Sequence, residues 1–132
     1  VYIKENTMKK LLYSIAIALS VLIIACKKDN VSINGFWTGT GLDDGSSTPI
    51  PLSILYSGSN TAVAYILSAD TSMALRANGT YSIDADSVRT TISTGLATTL
   101  FVGKLNSSNN AMNGTFRSLT NSSRGTWSVT KN

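Results

Sequence analysis

The stretch TTLFVGKLNSSNNAMNGTFRS, residues 98–118, decides the fold of this chain. Two runs rich in threonine and in apolar or aromatic residues, Thr98–Leu105 and Ala111–Ser118, lie on either side of the polar segment Asn106–Asn110. β-Branched and aromatic residues suit the pleated surface of a strand, whereas asparagine and serine favour turns. The stretch therefore predicts two strands joined by a hairpin connection.

The same pattern recurs from Ile33 onward, where the chain has no helical periodicity of useful length. It predicts strands at Ile33–Gly41, Ile50–Tyr56, Ala62–Leu67, Ser72–Arg76, Thr80–Asp84, Ser87–Ser93, Thr98–Leu105, Ala111–Ser118 and Gly125–Thr130. The connections are short, Ala77-Asn78-Gly79 among them, which leaves little room for crossovers and favours a meander. We therefore expect an all-β domain, a single antiparallel meander of about eight to nine strands that forms an up-and-down β-barrel, with a β-sandwich as the alternative.

Alternation within the strands predicts which side chains face inward, because successive residues of a strand point to opposite faces. The apolar residues at spacing two that are expected to form the core are Trp37, Leu52, Ile54, Tyr56, Tyr81, Ile83, Val88, Ile92, Met112, Phe116, Trp127 and Val129. Threonine and serine fill many intervening positions, which is typical of a sheet with one apolar and one solvated face. Strand Ala62–Leu67 is apolar on both faces, so we expect a loop or a partner to cover its outer side.

A weak internal repeat, Gly-Thr-aromatic, occurs at Gly79-Thr80-Tyr81, Gly114-Thr115-Phe116 and Gly125-Thr126-Trp127. Glycine inside a strand permits sharp bending and the close approach of another side chain. The aromatic residue two positions later lies on the same face and can cover that glycine or an equivalent one next door. We expect the repeat to serve sheet curvature and core packing rather than a ligand.

The N-terminal residues follow a different pattern. Met8-Lys9-Lys10 precedes the apolar run Leu11–Ala25, which is shorter than the roughly 20 residues that a spanning helix needs. The basic start, the apolar run and the small residue before Cys26 resemble the signal peptide and lipobox of a bacterial lipoprotein. The resemblance implies a lipid on Cys26, a membrane partner through that lipid, and a place in the cell envelope as an outer-membrane lipoprotein, facing the periplasm or the surface. The expected division of the chain is a helical signal peptide over residues 1–25 (with 1–7 an over-extended start), a lipidated tether over 26–32 and the β-barrel domain over 33–132.

The basic charge of the chain belongs largely to its N-terminal part. The formal net charge of all 132 residues is +4, but from Cys26 onward there are eight basic and six acidic residues, a net charge of +2. That part has no cluster of lysine and arginine, which is the footprint of a nucleic-acid-binding surface. We therefore expect no nucleic-acid partner.

The chain lacks the residues that most catalytic sites use. It has no histidine, and its single cysteine, Cys26, is expected to carry the lipid, so neither a Ser–His–Asp nor a Cys–His arrangement can form. The aspartate pairs Asp43-Asp44 and Asp84/Asp86 lie in expected turns, where aspartate is favoured for backbone reasons, and they offer too few oxygens for Ca²⁺. We expect no enzymatic activity, no cofactor and no metal site.

Three short motifs resemble known ones. Gly35-Phe36-Trp37 opens the first predicted strand and resembles the Gly-x-Trp at the start of lipocalins and related calycin barrels. That resemblance implies that a basic residue near the last strand packs across the tryptophan, and Arg124 is expected to do so by a cation–π contact. The final run, residues 127–131, resembles the Trp-x-Val-x-Lys ending of many small lipoproteins of unknown role. Asp86-Ser87-Val88 resembles an acceptor triplet for O-glycosylation in some Gram-negative bacteria, which makes Ser87 a candidate glycan site.

Two kinds of function remain open on the sequence. The barrel is either a non-enzymatic binding or interaction module, for a small apolar ligand, a glycan or an envelope protein, or a filled structural, inhibitor or immunity-type lipoprotein that acts through a protein partner. Inward-facing Ala62, Ala64, Gly103 and Gly114 would leave a cavity, while inward-facing aromatic residues would close it. The candidate ligand or core residues are Trp37, Tyr81, Phe116, Trp127 and Arg124.

Overall fold

The computed structural model describes residues 31–67 and 74–132 of the chain. The strands are β1 (Gly35–Asp43), β2 (Ile50–Ser57), β3 (Thr61–Leu67), β4 (Ala74–Asp84), β5 (Ser87–Ser93), β6 (Thr98–Leu105), β7 (Ala111–Ser118) and β8 (Arg124–Lys131). Within these residues no helix is long and apolar enough to cross a membrane. The helix expected over residues 1–25, Cys26 and residues 27–30 of the tether lie outside the described residues.

The strands form a closed, antiparallel, up-and-down barrel. Each strand pairs with the next one along the chain, and β1 also pairs with β8. The all-β meander and the barrel are thus confirmed, and the alternative β-sandwich is not the fold. A path that steps from each residue to its pairing partner on the next strand goes around the barrel and returns to β1 ten residues away from its starting point. This offset of ten residues is the shear number of the barrel. A barrel of about eight strands has an interior just wide enough for its own side chains or for one small ligand.

One predicted turn is wrong. Ala77-Asn78-Gly79 lies inside the continuous 11-residue strand β4, where we expected a connection between two strands. The two halves of β4 do not pair with each other; both are paired with β3 on one side or β5 on the other. Ala77 is buried opposite Ala64, so tertiary pairing outweighs the local preference of Asn-Gly for a turn. The predicted strand Ser72–Arg76 begins outside the described residues.

The two ends of the barrel are different. We call the end where β1 begins the closed end; it carries residues 31–34 and the connections 58–60, 85–86 and 106–110. Among the described residues, the opposite end, called the open end, carries the connections 44–49, 94–97 and 119–123. One row of inward-facing residues crosses from the open end of β1 to the closed end of β4 and consists of Asp43, Gly125, Phe116, Phe101, Thr90 and Tyr81.

The inward face follows the predicted alternation. Nine of the predicted core residues are buried: Trp37, Leu52, Ile54, Tyr56, Val88, Ile92, Met112, Trp127 and Val129. The other three, Tyr81, Ile83 and Phe116, are partly buried and pack against that core. The core also contains residues that the alternation did not single out, namely Ile33, Ala62, Ala64, Ala77, Phe101 and Leu105.

The repeated glycines mark places where neighbouring strands come unusually close. A Cβ atom on Gly79, Gly114 or Gly125 would overlap a backbone carbonyl oxygen of the adjacent strand, and Gly39 has the same geometry. Three of these glycines belong to the Gly-Thr-aromatic repeat, so the repeat corresponds to one recurrent backbone arrangement. This agrees with its expected role in bending the sheet.

Candidate functional site: the open end of the barrel

The closed end is sealed by the residues that precede β1. Ile33 is fully buried, and its carbonyl oxygen accepts a 2.8 Å hydrogen bond from Nε1 of Trp37, whose ring is also fully buried. Tyr81 extends the seal, because its hydroxyl lies 3.1 Å from both Oδ1 of Asn34 and the carbonyl oxygen of Ser57 and shares its single proton between these two acceptors. These contacts hold residues 33–34 against the barrel at this end.

A buried polar pair lies above the seal. The hydroxyl of Tyr56 is 2.9 Å from Oγ1 of Thr90, and both side chains are buried. The ring of Tyr56 makes edge contacts with Trp37 and Tyr81. Burial raises the pKa of Tyr56 from 10.0 to about 12, against the opposing effect of the Thr90 hydrogen bond and with a smaller contribution from Tyr81.

This pair predicts a loss of stability at high pH. The folded state holds the phenolic proton of Tyr56 more tightly than the unfolded chain. The stabilisation that protonated Tyr56 gives the folded state is therefore complete below pH 10 and is lost as the pH rises towards about 12. A shift of this size corresponds to about 3 kcal/mol. In Tyr56→Phe, urea unfolding should show lower stability at neutral pH, because Thr90 loses its buried partner. The difference in the free energy of unfolding between wild type and Tyr56→Phe should then shrink between pH 10 and 12. A difference that stays constant over that range would contradict the raised pKa of Tyr56.

The middle of the barrel is filled by aromatic rings and by glycines that make room for them. Nε1 of Trp127 lies 3.2 Å from the carbonyl of Thr115. A Cβ on Gly103 would stand 2.6 Å from Cζ2 of the same ring, so this glycine is required by the indole. Phe101 packs edge-on against Trp127 at 5.6 Å between ring centroids. At Gly103, therefore, the missing side chain accommodates a ring and does not leave a cavity.

A small cavity remains at the open end. It has a volume of about 120 Å³ and is lined by Gly41, Asp43, Ile50, Leu52, Ile66, Thr99, Phe101 and Phe116. We call this cavity the cup. Its lining is apolar except for the carboxylate of Asp43 and the hydroxyl of Thr99. A concave apolar surface with a few convergent polar groups is typical of a small-molecule site.

Polar groups stand beside the cup. Asp43 accepts a 3.0 Å hydrogen bond at Oδ1 from Oγ of Ser123, and the neighbouring Asp44 forms a 3.1 Å ion pair with Nε of Arg124. Together with Ser122 these residues line a second, polar hollow next to the cup. Asp43 therefore belongs to both surfaces and lies where apolar lining gives way to polar lining.

Exposed leucines occur around the same end. Leu96 is 95% exposed in the β5–β6 connection, and Leu75 and Leu119 are about half exposed. The turn that carries Leu96 is closed by Thr94, whose backbone nitrogen donates to the carbonyl of Ala97 at 3.0 Å. The β7–β8 connection is joined to the start of β6, because the backbone nitrogen of Leu119 donates to the carbonyl of Thr98. Leu96 and Leu119 are thus presented by hydrogen-bonded connections, whereas Leu75 lies in β4.

The predicted site residues do not converge on one place. Trp37 and Tyr81 belong to the closed end, Trp127 to the middle, and only Phe116 lines the cup. The expected contact between Arg124 and Trp37 is wrong, because Arg124 pairs with Asp44 at the open end.

The cation over Trp37 is Lys131, whose Nζ lies 5.8 Å from the ring centroid. Its position follows from the register of β1 against β8, in which Trp37 and Lys131 are direct partners. Local sequence does not reveal that register.

Most residues of the cup were missed by the sequence analysis. Phe101 lies in the run Leu100-Phe101-Val102 and Ile66 in a strand that is apolar on both faces, so alternation gave no inward direction there. Asp43 was considered only as part of a turn. Polar residues at inward-facing positions near a strand end were the signal available in the sequence, and Asp43 and Thr99 both carry it.

The two-sided strand β3 has an exposed outer face. Ala62 and Ala64 point inward and are buried, whereas Tyr65 on the outer face is 36% exposed. Phe36 on β1 is 40% exposed. Strand β2 lies between β1 and β3, and its Leu55 pairs with Phe36 on one side and with Val63 on the other. We call Phe36, Leu55, Val63 and Tyr65 the outer apolar wall.

Ser87, the candidate glycan site, lies at the closed end and away from the cup. It is half-buried at the start of β5, beside Asp86, which forms an ion pair with Lys104. Among the described residues no group of three or more histidine, cysteine, aspartate or glutamate side chains could hold a metal ion.

The chain matches no protein-family model, no curated protein and no solved structure.

Proposed function

We propose that this protein is a membrane-tethered, non-enzymatic binding module of the bacterial cell envelope, and that the cup takes the apolar group of a small ligand. The observation that carries the proposal is the apolar cavity at the open end of an otherwise filled barrel. The closed end and the middle are packed with side chains, so the cup is the concave apolar surface that the barrel interior offers to solvent among the described residues.

The size of the cup limits the ligand. Its volume of about 120 Å³ is well below the roughly 300–1,000 Å³ of sites for drug-sized molecules. It is close to the roughly 150 Å³ of an engineered apolar cavity that binds benzene. We therefore infer a group of about six heavy atoms, such as a branched alkyl group or a phenyl ring, with the rest of the ligand outside.

The sequence before the barrel supports the proposed tether. The basic start Met8-Lys9-Lys10, the apolar run Leu11–Ala25 and the small residue before Cys26 resemble the signal peptide and lipobox of a bacterial lipoprotein. A lipid on Cys26 would attach the protein to a membrane.

Anchoring is tested by replacing the acylated residue. Cys26→Ser expressed with its signal sequence in a Gram-negative host should leave the membrane fraction, and the wild-type protein should incorporate labelled palmitate. Wild-type protein that is soluble and unlabelled would overturn the tether while leaving the cup to be judged by its own test.

Binding in the cup is tested with a neutral probe and two matched variants. Isoamyl alcohol, followed by two-dimensional amide NMR on the domain of residues 31–132, should shift the resonances of residues that line the cup, with a dissociation constant of the order of 1 mM, or about −4 kcal/mol. Ile66→Phe should abolish the shifts, because the larger ring fills the cup. Val63→Phe, an outward-facing change on the same strand, should leave them intact. Shifts that are absent from the wild type, or unchanged in Ile66→Phe, would contradict the proposal.

The outer apolar wall supports a second candidate, an interaction module for an envelope protein. Phe36 on β1 and Tyr65 on β3 expose aromatic surface on either side of β2, and aromatic residues are enriched in protein interfaces. In chemical crosslinking on intact cells, Phe36→Ser should lose a partner that Ile66→Phe retains. Crosslinks lost in Ile66→Phe and kept in Phe36→Ser would favour the cup instead.

A further inference from the structure

The polar groups of the cup point to the chemistry of its ligand. Asp43 is the last residue of β1 and occupies an inward-facing position, in the same row as Phe116 and Phe101. The side chain of Asp43 therefore lies at the rim of the apolar lining and not on the outside of the barrel. One carboxylate oxygen accepts the hydrogen bond from Ser123, which fixes the group and leaves the other oxygen for a donor from outside.

The charges around the cup leave Asp43 without a cation. Asp44 and Arg124 form an ion pair with each other. Arg117, near the same end of β7, alternates with Phe116 and therefore faces the outside of the barrel. Among the described residues no basic side chain pairs with Asp43, so the rim of the cup carries an uncompensated negative charge.

Thr99 provides a second polar atom in the lining. Its side chain lines the cup beside Phe101 and Phe116, and among the described residues its hydroxyl has no hydrogen-bond partner. A hydroxyl can both donate and accept. Thr99 lies on β6, which β7 and β8 separate from Asp43 on β1, so the two polar groups mark different sides of the cup.

We propose that the cup recognises small primary amines, in which a protonated amino group directly follows a branched alkyl group or a phenyl ring. This inference rests on the proposed function and names the class of ligand for the same site. The apolar group fills the cup, and the ammonium group donates to the carboxylate oxygen of Asp43 that Ser123 does not engage. Hydrogen bonds to a charged partner are about twice as strong as neutral ones, and a partly enclosed site weakens them less than water does.

The test compares three probes that share one apolar group. Isoamylamine, isoamyl alcohol and isovalerate are titrated into the domain at pH 7 and low salt, with amide NMR shifts as the readout. The amine should bind the wild type about tenfold more tightly than the alcohol, as a charge-assisted hydrogen bond predicts. Isovalerate should bind more weakly than the alcohol, because its carboxylate is repelled by Asp43.

Two variants with the same change of charge separate a specific contact from general electrostatics. Asp43→Asn retains an acceptor for Ser123 and should bring the affinities of amine and alcohol to within about twofold. Asp86→Asn, at the closed end beside Lys104, should preserve the preference for the amine. Thr99→Val, which changes the other polar residue of the lining without a change of charge, should also preserve the preference for the amine.

The outcomes distinguish this inference from the proposed function. Equal binding of amine and alcohol to the wild type, or a preference for the amine that persists in Asp43→Asn, would overturn the amine class while the cup remains a binding site. Failure of all three probes to shift residues of the cup would overturn both.

Discussion

Gly114→Ala is expected to destabilise the barrel by about 3 kcal/mol or more. Added atoms in a packed interior typically cost about 1–3 kcal/mol and sometimes more, and this site is at the severe end. A Cβ on Gly114 would overlap the carbonyl oxygen of Val102 and crowd the Cα of Gly103. Both neighbours are backbone atoms of paired strands, so no side chain can rotate away and β6 and β7 themselves would have to separate.

Gly41→Ala provides the matched control. Gly41 also lies in a strand and also faces the interior, but a Cβ there would meet its nearest neighbour, Cε1 of Phe116, at 3.8 Å, which is an ordinary contact. Urea unfolding followed by circular dichroism should show a large drop in midpoint for Gly114→Ala and little change for Gly41→Ala. Equal effects of the two substitutions would mean that the close approach of β6 and β7 is not a property of the folded protein.

Trp37→Ala is expected to cost about 3–5 kcal/mol, the usual range for removing a large aromatic residue from a core. The indole is fully buried, packs edge-on against Tyr56 and donates its N–H to Ile33. Its loss would open a cavity beneath the seal of the closed end and leave the carbonyl of Ile33 without its partner. Domains of this size have a total stability of about 5–15 kcal/mol, so the variant should be close to unfolding.

Two other variants divide this loss into its parts. Trp37→Phe keeps a ring but not the N–H, so it should lose about 1–3 kcal/mol, the cost of an unpaired buried acceptor plus some packing. Phe36→Ala removes a ring from the adjacent, outward-facing position, which is 40% exposed, and should have a much smaller effect. The comparison is made by urea unfolding with hydrogen exchange of the residues near the closed end. A Trp37→Ala variant as stable as Phe36→Ala would exclude the seal as a major contributor to stability.

The fold could be predicted from sequence because its information is local. Runs of β-branched and aromatic residues, short polar connections and alternation at spacing two determine strands, faces and the meander, and the structure follows them. Prediction failed at Ala77-Asn78-Gly79, where the local preference for a turn was outweighed by the pairing of β4 with both neighbours.

The candidate site was less predictable because it depends on distant strands coming together. Asp43, Ile66, Thr99 and Phe101 belong to three different strands, β1, β3 and β6. Each is unremarkable in its own segment, and Ile66 and Phe101 lie in continuous apolar runs in which alternation is lost. The choice of Lys131 over Arg124 as the partner of Trp37 is of the same kind, since it is fixed by the register between the first strand and the last.

The pairing of β1 with β8 also has a consequence for when the protein can fold. The barrel lacks its closing seam until residues 124–131 are available, and a contact such as that between Thr38 and Asn132 joins residues 94 positions apart. Non-local pairing of this kind slows folding. During synthesis the chain emerges N-terminus first, so the barrel can close only when β8 is available. Once β8 pairs with β1, none of the eight described strands has an unpaired edge to attract neighbouring copies.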